Sequence, residues 1–326
     1  MTIVDLWRKI QKENFTNVNK LADFLELDEK NRSKLAHKKK FSLSLPMRLA
    51  EKICKNSLND PIALQFVPLI YEEINSVGFI SDPVCDQNFK KCKSVLHKYS
   101  GRALLISCSA CAMHCRYCFR QNFNYENGNF HEEIDFLNKD HSIYEVILSG
   151  GDPLALSDSK LSHLIEKLSN INHIKIIRFH TRFPIGIPER ITENFLSILR
   201  RSPKQIIFIL HVNHVNEFDD DVFASLKKIR LLGIPILSQS VLLKNVNDNA
   251  ETLKNLYLKE IENGIIPYYL HQLDKVSGAS HFDVPKELGL QIIDKLKQLL
   301  PGYAIPKYVE EIPWATSKTH ILHEVG

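Results

Sequence analysis

Six short runs of apolar and β-branched residues, separated by helical patterns, constrain the fold of this 326-residue chain more than any other feature. The runs span 103–107, 145–149, 174–180, 206–212, 234–243 and 265–271. Strands that alternate with helices predict βαβ units and a parallel sheet. Runs this apolar are typical of strands covered on both faces. An open doubly wound sheet and a barrel both satisfy this pattern.

The polar residues that close these runs favour the barrel. They are a cysteine loop, SGGDP at 149–153, HTR at 180–182, HVNH at 211–214, Gln239, and HQLD at 271–274. In barrel-type folds the active site is built at the carboxyl ends of the strands. We therefore predict an α/β fold, a partial (β/α)6 barrel with its active site at that edge.

Two further regions are predicted to flank the barrel core at 96–284. Residues 1–95 have apolar residues at helical spacing, interrupted by prolines, and predict a helical N-terminal region. Residues 285–326 form a C-terminal segment that is expected to complete the barrel mouth.

Composition predicts a cytoplasmic protein with no nucleic-acid or membrane partner. The net charge is only +4, and the basic run at 37–40 is interpreted as a solvated face. The first residues lack the apolar core of a signal peptide, and no run approaches the ~18 apolar residues of a membrane helix. The seven cysteines cluster rather than spread, which is typical of reduced, metal-binding thiols.

Three of these cysteines, Cys111, Cys115 and Cys118, have the spacing C-x3-C-x2-C on the loop after the first run. Each thiolate could bind one iron of a 4Fe-4S cluster, which leaves the fourth iron open to a small molecule. The alternative is zinc with a fourth ligand from elsewhere in the chain. The candidates for that ligand are His114, Cys108 and His131.

With the aromatic Tyr117 before its last cysteine, the motif resembles that of the radical S-adenosylmethionine enzymes. In that superfamily S-adenosylmethionine binds the open iron and yields a 5′-deoxyadenosyl radical. Further segments resemble the lysine 2,3-aminomutase family, which also uses pyridoxal 5′-phosphate and moves an amino group from Cα to Cβ. These segments are HKYSGRALLIS, CRYCFRQNF, LSGGDPL, HTRFPIGIPERIT, QSVLLKNVND, PYYLHQLD and GYAIPKYVEEIP.

The resemblance implies roles for residues that bind the cofactors. Lys318 matches the lysine that binds pyridoxal phosphate covalently, although the residues alone do not distinguish it from Lys307. Lys98 and Arg102 match the cations at the cofactor phosphate, and His271 stands where longer family members carry an aromatic against the pyridoxal ring. The residues matched to S-adenosylmethionine binding are Gly150, Gly151, Asp152, His211 and Gln239.

The resemblance also implies the substrate-binding residues. Arg120 matches the residue that holds the substrate carboxylate, as a guanidinium fork can. Asp274 and Glu311 match two acids that bind the distal ammonium, which needs carboxylates once water is excluded. Aspartate is expected at the second of these positions in the long enzymes, so Glu311 departs from the pattern. WATS before Lys318 departs from a glycine run.

These departures and the short chain resemble the branch of the family that serves elongation factor P. The resemblance implies conversion of L-lysine to (R)-β-lysine, which a separate ligase attaches to elongation factor P. Expected partners are L-lysine, a one-electron reductant such as flavodoxin or ferredoxin, and a second copy of the chain in a homo-oligomer. The alternatives are an aminomutase for arginine or glutamate and a non-enzymatic metal or iron–sulfur protein. Asp274 and Glu311 argue against glutamate, since their charges would oppose its second carboxylate.

Overall fold

The computed structural model describes residues 6–36, 41–126 and 129–323. The basic run at 37–40, interpreted above as a solvated face, lies outside these residues. Of the helices described, none is both long and apolar enough to cross a membrane.

Five short α-helices lie in the described part of the first ninety residues. They are α1 Leu6–Lys12, α2 Val18–Phe24, α3 Glu29–Arg32, α4 Met47–Glu51 and α5 Pro61–Phe66. Side-chain caps start three of them: Asn17 accepts hydrogen bonds at α2, Asp28 at α3 and Asp60 at α5. Each cap satisfies backbone N–H groups that the first helical turn leaves without partners.

One ten-stranded sheet forms the centre of the protein, with its strands side by side in chain order. The strands are β1 Lys90–Cys92, β2 Val95–Tyr99, β3 Arg102–Cys108, β4 Glu145–Gly150, β5 Ile176–Thr181, β6 Gln205–His211, β7 Ile236–Val241, β8 Ile266–His271, β9 Lys307–Glu310 and β10 Thr319–His320. Pairing is parallel from β3 to β9 and antiparallel at both edges. The six predicted strands are confirmed as β3 to β8. The short strands β1, β2, β9 and β10 were not predicted.

Helices connect the parallel strands, which confirms the predicted α/β alternation. They are α6 His131–Lys139, α7 Asp158–Ser169, α8 Phe183–Gly186, α9 Glu193–Arg201, α10 Asp220–Arg230, α11 Ala250–Glu262 and α12 Lys286–Leu299. Four of these helices, α7, α9, α10 and α11, have a polar N-cap residue whose side chain accepts a hydrogen bond from a backbone N–H of the first turn. These residues are Ser157, Thr192, Asp219 and Asn249, in that order.

Side chains along the parallel strands point alternately toward the helix-covered core and toward an interior cavity. On β5, Phe179 faces the helices, where it stacks on Phe208 of β6 with ring centroids 4.8 Å apart and meets Phe195 of α9 edge-on. Burial of each such ring contributes about 2–3 kcal/mol. The intervening residues Arg178 and His180 line the cavity instead. The curled sheet therefore has one apolar face toward the helices and a second face free for a site.

The N-terminal helices and the sheet share one hydrophobic cluster. Trp7 of α1 packs edge-on against Phe183 of α8 with ring centroids 5.5 Å apart, and Leu45 and Phe66 belong to the same buried cluster as Leu148 of β4. The first helices thus pack on the end of the sheet where β3, β4 and β5 terminate. The domain boundaries drawn at 95 and 284 stay predictions.

Candidate functional site

A cavity of about 740 Å³ lies within the curl of the sheet and is lined from the first residues of β3 and β4, Arg102 and Glu145, to the loops after the carboxyl ends of the parallel strands. Its size lies in the upper part of the range usual for ligand sites. All the site residues expected from the sequence line this cavity. They are Lys98, Arg102, Cys111, Cys115, Cys118, Arg120, Gly150, Gly151, Asp152, His211, Gln239, His271, Asp274, Glu311 and Lys318.

The cysteine loop follows β3 and is tied to the turn after β4. The Gly151 N–H donates to the Cys108 carbonyl at 2.7 Å, and the Asp152 N–H donates to the Ala110 carbonyl at 2.8 Å. A Cβ on Gly151 would lie 2.3 Å from the Ala110 carbonyl oxygen, far inside van der Waals contact. Glycine is therefore required at 151 for the two loops to approach each other.

Side-chain donors from α1 and from the turn after it contact the other side of the cysteine loop. The Gln11 amide donates to the Cys111 carbonyl at 3.2 Å, and Asn14 donates to the Ala112 carbonyl at 2.7 Å. Each contact spans about a hundred residues of chain, and neither residue was predicted from the sequence. The helical region thus contributes directly to the shape of this loop.

The donor set of the loop fits a cluster better than a single zinc ion. No three His, Cys, Asp or Glu side chains in the described part of the chain lie close enough together to hold one metal ion. Separated thiols are what a 4Fe-4S cluster needs, since each binds a different iron. Burial, with the neighbouring Cys115, raises the pKa of Cys118 to about 11. A Cys118 thiolate here therefore needs a cationic metal centre to stabilise its charge.

The residues suggested as a fourth zinc ligand have other surroundings. The Cys108 thiol donates to the Asp152 carbonyl at 3.0 Å, and His114 Nδ1 lies 2.9 Å from the Ser42 carbonyl oxygen. His131 is exposed at the start of α6. None of the three adds a ligand to the cysteine loop.

Asp86 organises the predicted cations at one wall of the cavity. This buried carboxylate accepts from Arg120 Nε at 2.9 Å and from Lys98 Nζ at 3.3 Å. Arg102 packs over the Tyr99 ring at 4.8 Å and has no carboxylate partner among the described residues. Asp86 was missed from the sequence because it lies on a short 3-10 turn, Asp86–Phe89, with no motif around it.

The two predicted acids differ in their surroundings. Glu311 accepts from Lys318 Nζ at 2.8 Å, Lys98 Nζ at 3.1 Å and the Tyr99 hydroxyl at 2.6 Å. Burial opposes its ionisation, but the two lysines lower the pKa of Glu311 to about 2. Asp274 has no side-chain partner within the described residues, and burial raises its pKa to about 7.

Three histidines, at or next to the last residues of their strands, line the same cavity. His211 Nε2 lies 2.9 Å from the Tyr117 hydroxyl, and the His271 ring meets Tyr269 at 5.4 Å. His180, inside the HTR segment, has a buried Nε2 without a hydrogen-bond partner in the described structure. Burial lowers the pKa of all three, so they are neutral at pH 7 and can both donate and accept hydrogen bonds.

The Asp152 side chain makes hydrogen bonds within the fold. Its buried carboxylate accepts from the Thr181 hydroxyl at 2.8 Å and from the backbone N–H groups of Leu154, Arg182 and Phe183. These bonds join the end of β4 to the end of β5. Its predicted part in cofactor binding stays a prediction, and the backbone around it is what faces the cysteine loop.

Sequence comparison with known proteins identifies the family of this chain. The L-lysine 2,3-aminomutase of Haemophilus influenzae is 39% identical over 319 residues, 96% of this chain and 94% of that protein. The L-lysine 2,3-aminomutase of Escherichia coli is 40% identical over 311 residues, 93% of this chain and 91% of its own length. The chain belongs to the lysine 2,3-aminomutase family. The predicted family and the predicted isomerase class are therefore confirmed.

Further comparisons concern the length of the chain and its cluster. The lysine 2,3-aminomutase of Clostridium subterminale is 29% identical over 323 residues, which is 97% of this chain but only 77% of that longer protein. A family model described as a 4Fe-4S single cluster domain matches residues 100–185, which contain the three loop cysteines. The predicted 4Fe-4S cluster is thereby confirmed over zinc. The solved structure described as "Native anSMEcpe with bound AdoMet and Kp18Cys peptide" aligns with 60% of this chain and 58% of its own at 14% identity and a TM-score of 0.47, a likeness too weak to bear on the assignment.

Proposed function

We propose that this member of the lysine 2,3-aminomutase family converts L-lysine to (R)-β-lysine, using a 4Fe-4S cluster, S-adenosylmethionine and pyridoxal 5′-phosphate. One observation carries the proposal. Residues from Lys98 to Lys318, expected from the family to bind the cofactors and the substrate, all line a single cavity. A protein that only bound a cluster would not need paired cations, acids and a lysine converging on the same space.

The cluster and S-adenosylmethionine are assigned to the wall formed by the cysteine loop. Cys111, Cys115 and Cys118 would hold three irons, and the backbone of Gly150 and Gly151, which lines the same cavity, would receive S-adenosylmethionine. His211 and Gln239, partnered across β6 and β7, lie on the same inner face of the sheet. Their neutral donors and acceptors suit the hydroxyl and base edges of an adenosyl group.

Pyridoxal phosphate is assigned to the wall that carries Lys318. In support, the Lys318 side chain lies within the cavity, whereas Lys307 is exposed on β9. Arg102, without a carboxylate partner among the described residues, could bind a phosphate together with Lys98. Two buried cavity atoms, His180 Nε2 and Arg178 Nε, have no partner in the described structure and would gain one from a ligand.

The substrate is assigned to the space between Arg120 and the two acids. Arg120 would bind the carboxylate, because Asp86 fixes its Nε edge, and the only other side-chain hydrogen bond of its guanidinium in the described structure is the long one from Nη1 to the Ser149 hydroxyl, 3.4 Å. Asp274 would bind the distal ammonium, since it is the acid without a partner of its own. Glu311 would join it once Lys318 is engaged elsewhere.

The cofactors would supply the reactive groups, and the chain would orient the substrate and exclude water. When bound, the cluster with S-adenosylmethionine supplies a hydrogen-abstracting radical, and pyridoxal phosphate supplies a conjugated carrier for the migrating nitrogen. The residues of the chain fix both ends of lysine, so that its Cβ has one orientation. The apolar walls, which include Ile147, Ile207 and Leu237, exclude water from reactive intermediates.

We further propose that the β-lysine serves elongation factor P through a separate ligase in the cytoplasm. In support, the chain spans nearly the full length of the short relatives but about three quarters of the long clostridial one. His271, in the position of an aromatic in longer members, is a second feature of this branch. A flavodoxin or ferredoxin would supply the electron, and a homo-oligomer is the proposed assembly.

Anaerobic turnover tests the proposed activity. The reconstituted chain is incubated with L-lysine, S-adenosylmethionine, pyridoxal phosphate and a strong reductant, and the amino acids are separated on a chiral column. We expect (R)-β-lysine that depends on each cofactor. If arginine or glutamate is rearranged and lysine is not, the substrate assignment is wrong. If a loaded cluster yields no product from any of the three, the aminomutase proposal fails.

A further inference from the structure

The guanidinium of Arg182 is restrained beneath the cysteine loop. The residue is only 6% exposed, directly after β5, and its backbone N–H donates to Asp152 Oδ2 at 2.7 Å. Nη2 donates to Glu217 Oε2 at 2.6 Å and to Gln65 Oε1 at 2.7 Å. The Phe66 ring lies 4.7 Å below its central carbon. These contacts restrain the guanidinium at its Nη2 edge and on one face, whereas its Nε has no hydrogen-bond partner in the described structure.

The opposite edge of the same guanidinium faces a cluster ligand. Nη1 lies 2.9 Å from the Sγ atom of Cys115 and also donates to the Tyr117 hydroxyl. Glu217 is fully buried and accepts in addition from the backbone N–H groups of Asn213 and His214. The ion pair is therefore complete on the Nη2 edge. The Nη1 edge is left to the Cys115 sulfur and the Tyr117 hydroxyl.

We propose that Arg182 is a positioning residue for the cluster, whose N–H bond to the Cys115 sulfur raises the reduction potential of the cluster. The inference rests on the cluster assignment within the proposed function. An electron added to a 4Fe-4S cluster increases the negative charge on the ligand sulfurs, so a donor aimed at one of them stabilises the reduced state. Low polarity around the buried donor strengthens this effect.

A higher reduction potential would favour the first step of the proposed reaction, which is reduction of the cluster. Cleavage of S-adenosylmethionine requires that a cellular one-electron donor reduce the cluster. A cluster held by three thiolates carries a large negative charge, and burial would push its potential further down. The fixed N–H donor of Arg182 counters that tendency without exposing the cluster to water.

A matched pair of double variants separates this role from ordinary ion-pair stability. Arg182→Gln with Glu217→Gln removes the donor and its counterion together, so no buried charge is left alone. The control is Arg190→Gln with Asp158→Asn. Arg190 is also fully buried and pairs with Asp158 at 2.8 Å, but its nearby hydrogen-bond acceptors are the carbonyls of Leu154 and Leu156. Both double variants therefore lose the ion pair of a buried arginine, with a fully buried Glu217 in one and an 18% exposed Asp158 in the other.

The readout is the potential of the reconstituted cluster, followed by electron paramagnetic resonance without lysine or pyridoxal phosphate. We expect the Arg182/Glu217 variant to bind four irons and to have an equilibrium constant for reduction lowered about tenfold, ~59 mV for one electron. The Arg190/Asp158 control should keep the potential of the unmodified chain. A loaded Arg182/Glu217 variant with an unchanged potential would overturn the proposal, as would an equal shift in the control.

A second measurement needs no charge-removing variant. Electron–nuclear double resonance of the reduced, unmodified chain in H2O and D2O should reveal an exchangeable proton coupled to the cluster, and Arg182→Lys should lose that coupling. Absence of the coupling in the unmodified chain would refute the bond. Neither measurement requires turnover. If both give the expected result but the chain rearranges no amino acid, the proposed function is wrong and the role of Arg182 still stands.

Discussion

Replacement of Asp274 by asparagine tests how the site recognises its substrate. Asp274 lies in the cavity without a side-chain partner among the described residues, and burial raises its pKa to about 7. If it binds the distal ammonium, the variant leaves that cation without its main counterion. Loss of one partner of a desolvated ion pair costs about 3–5 kcal/mol. Glu311 remains nearby, so we expect the lower part of this range, roughly a 10²- to 10³-fold loss in kcat/KM.

The same substitution should stabilise the folded protein. A carboxyl whose folded pKa is about 7 destabilises the native state once the unfolded chain ionises, above a pH near its model value of 3.8. The destabilisation is complete above pH 7 and amounts to at most about 4 kcal/mol. Asp274→Asn should therefore melt at a higher temperature than the unmodified chain at pH 8, although it is less active.

Two assays decide between substrate recognition and a structural role. In the unmodified chain kcat/KM for lysine should fall about tenfold per unit below pH 7, because only ionised Asp274 binds the ammonium, and this limb should vanish in the variant. Norleucine, which lacks the distal ammonium, should bind both proteins alike. If Asp274→Asn lowers the melting temperature and weakens both ligands equally, Asp274 only stabilises the loop after β8, and the reasoning is refuted.

Three further predictions concern the cluster, the pyridoxal lysine and a buried acid. Cys115→Ala should lose iron and S-adenosylmethionine cleavage while Cys92→Ala keeps both; equal loss would contradict the ligand assignment. Borohydride reduction of the chain with pyridoxal phosphate, followed by peptide mapping, should label Lys318, and a label at Lys307 would refute its role. Burial raises the pKa of Glu260 to about 8, so stability should fall as pH rises from 4.5 to 8. Glu260→Gln should remove that fall and gain about 2–4 kcal/mol in urea unfolding at pH 8, whereas an unchanged slope would contradict the buried, protonated state.

The strands of the barrel were predictable because their signal is local. Each of β3 to β8 is a short, largely apolar run with polar residues toward its carboxyl end, and parallel pairing follows from the helices between them. The edge strands β1 and β10 have only three and two residues, too few for any periodicity. Their strand conformation depends on a neighbour that the local sequence does not identify.

The parts of the site that escaped prediction depend on contacts between distant segments. Gln11 and Asn14 hold cysteine-loop carbonyls, and Asp86 joins Lys98 to Arg120, yet no motif surrounds any of these three polar residues. Arg182 lies in a segment that the sequence did single out, but its contact with Cys115 follows only from how β5 ends beside the loop. The resemblance to a family supplied candidate residues, whereas their partners required the fold.

The most direct test of the central claim follows the nitrogen itself. The anaerobically reconstituted chain is given L-lysine labelled with ¹⁵N at the α-amino group, together with unlabelled ammonium ions, and the product is examined by ¹⁵N and ¹³C nuclear magnetic resonance. The account predicts β-lysine whose β-nitrogen retains the label, with none exchanged into the ammonium pool, and it predicts no reaction without S-adenosylmethionine. Label that remains on the α-carbon of unreacted lysine, or that appears as free ammonium, would contradict a lysine 2,3-aminomutase.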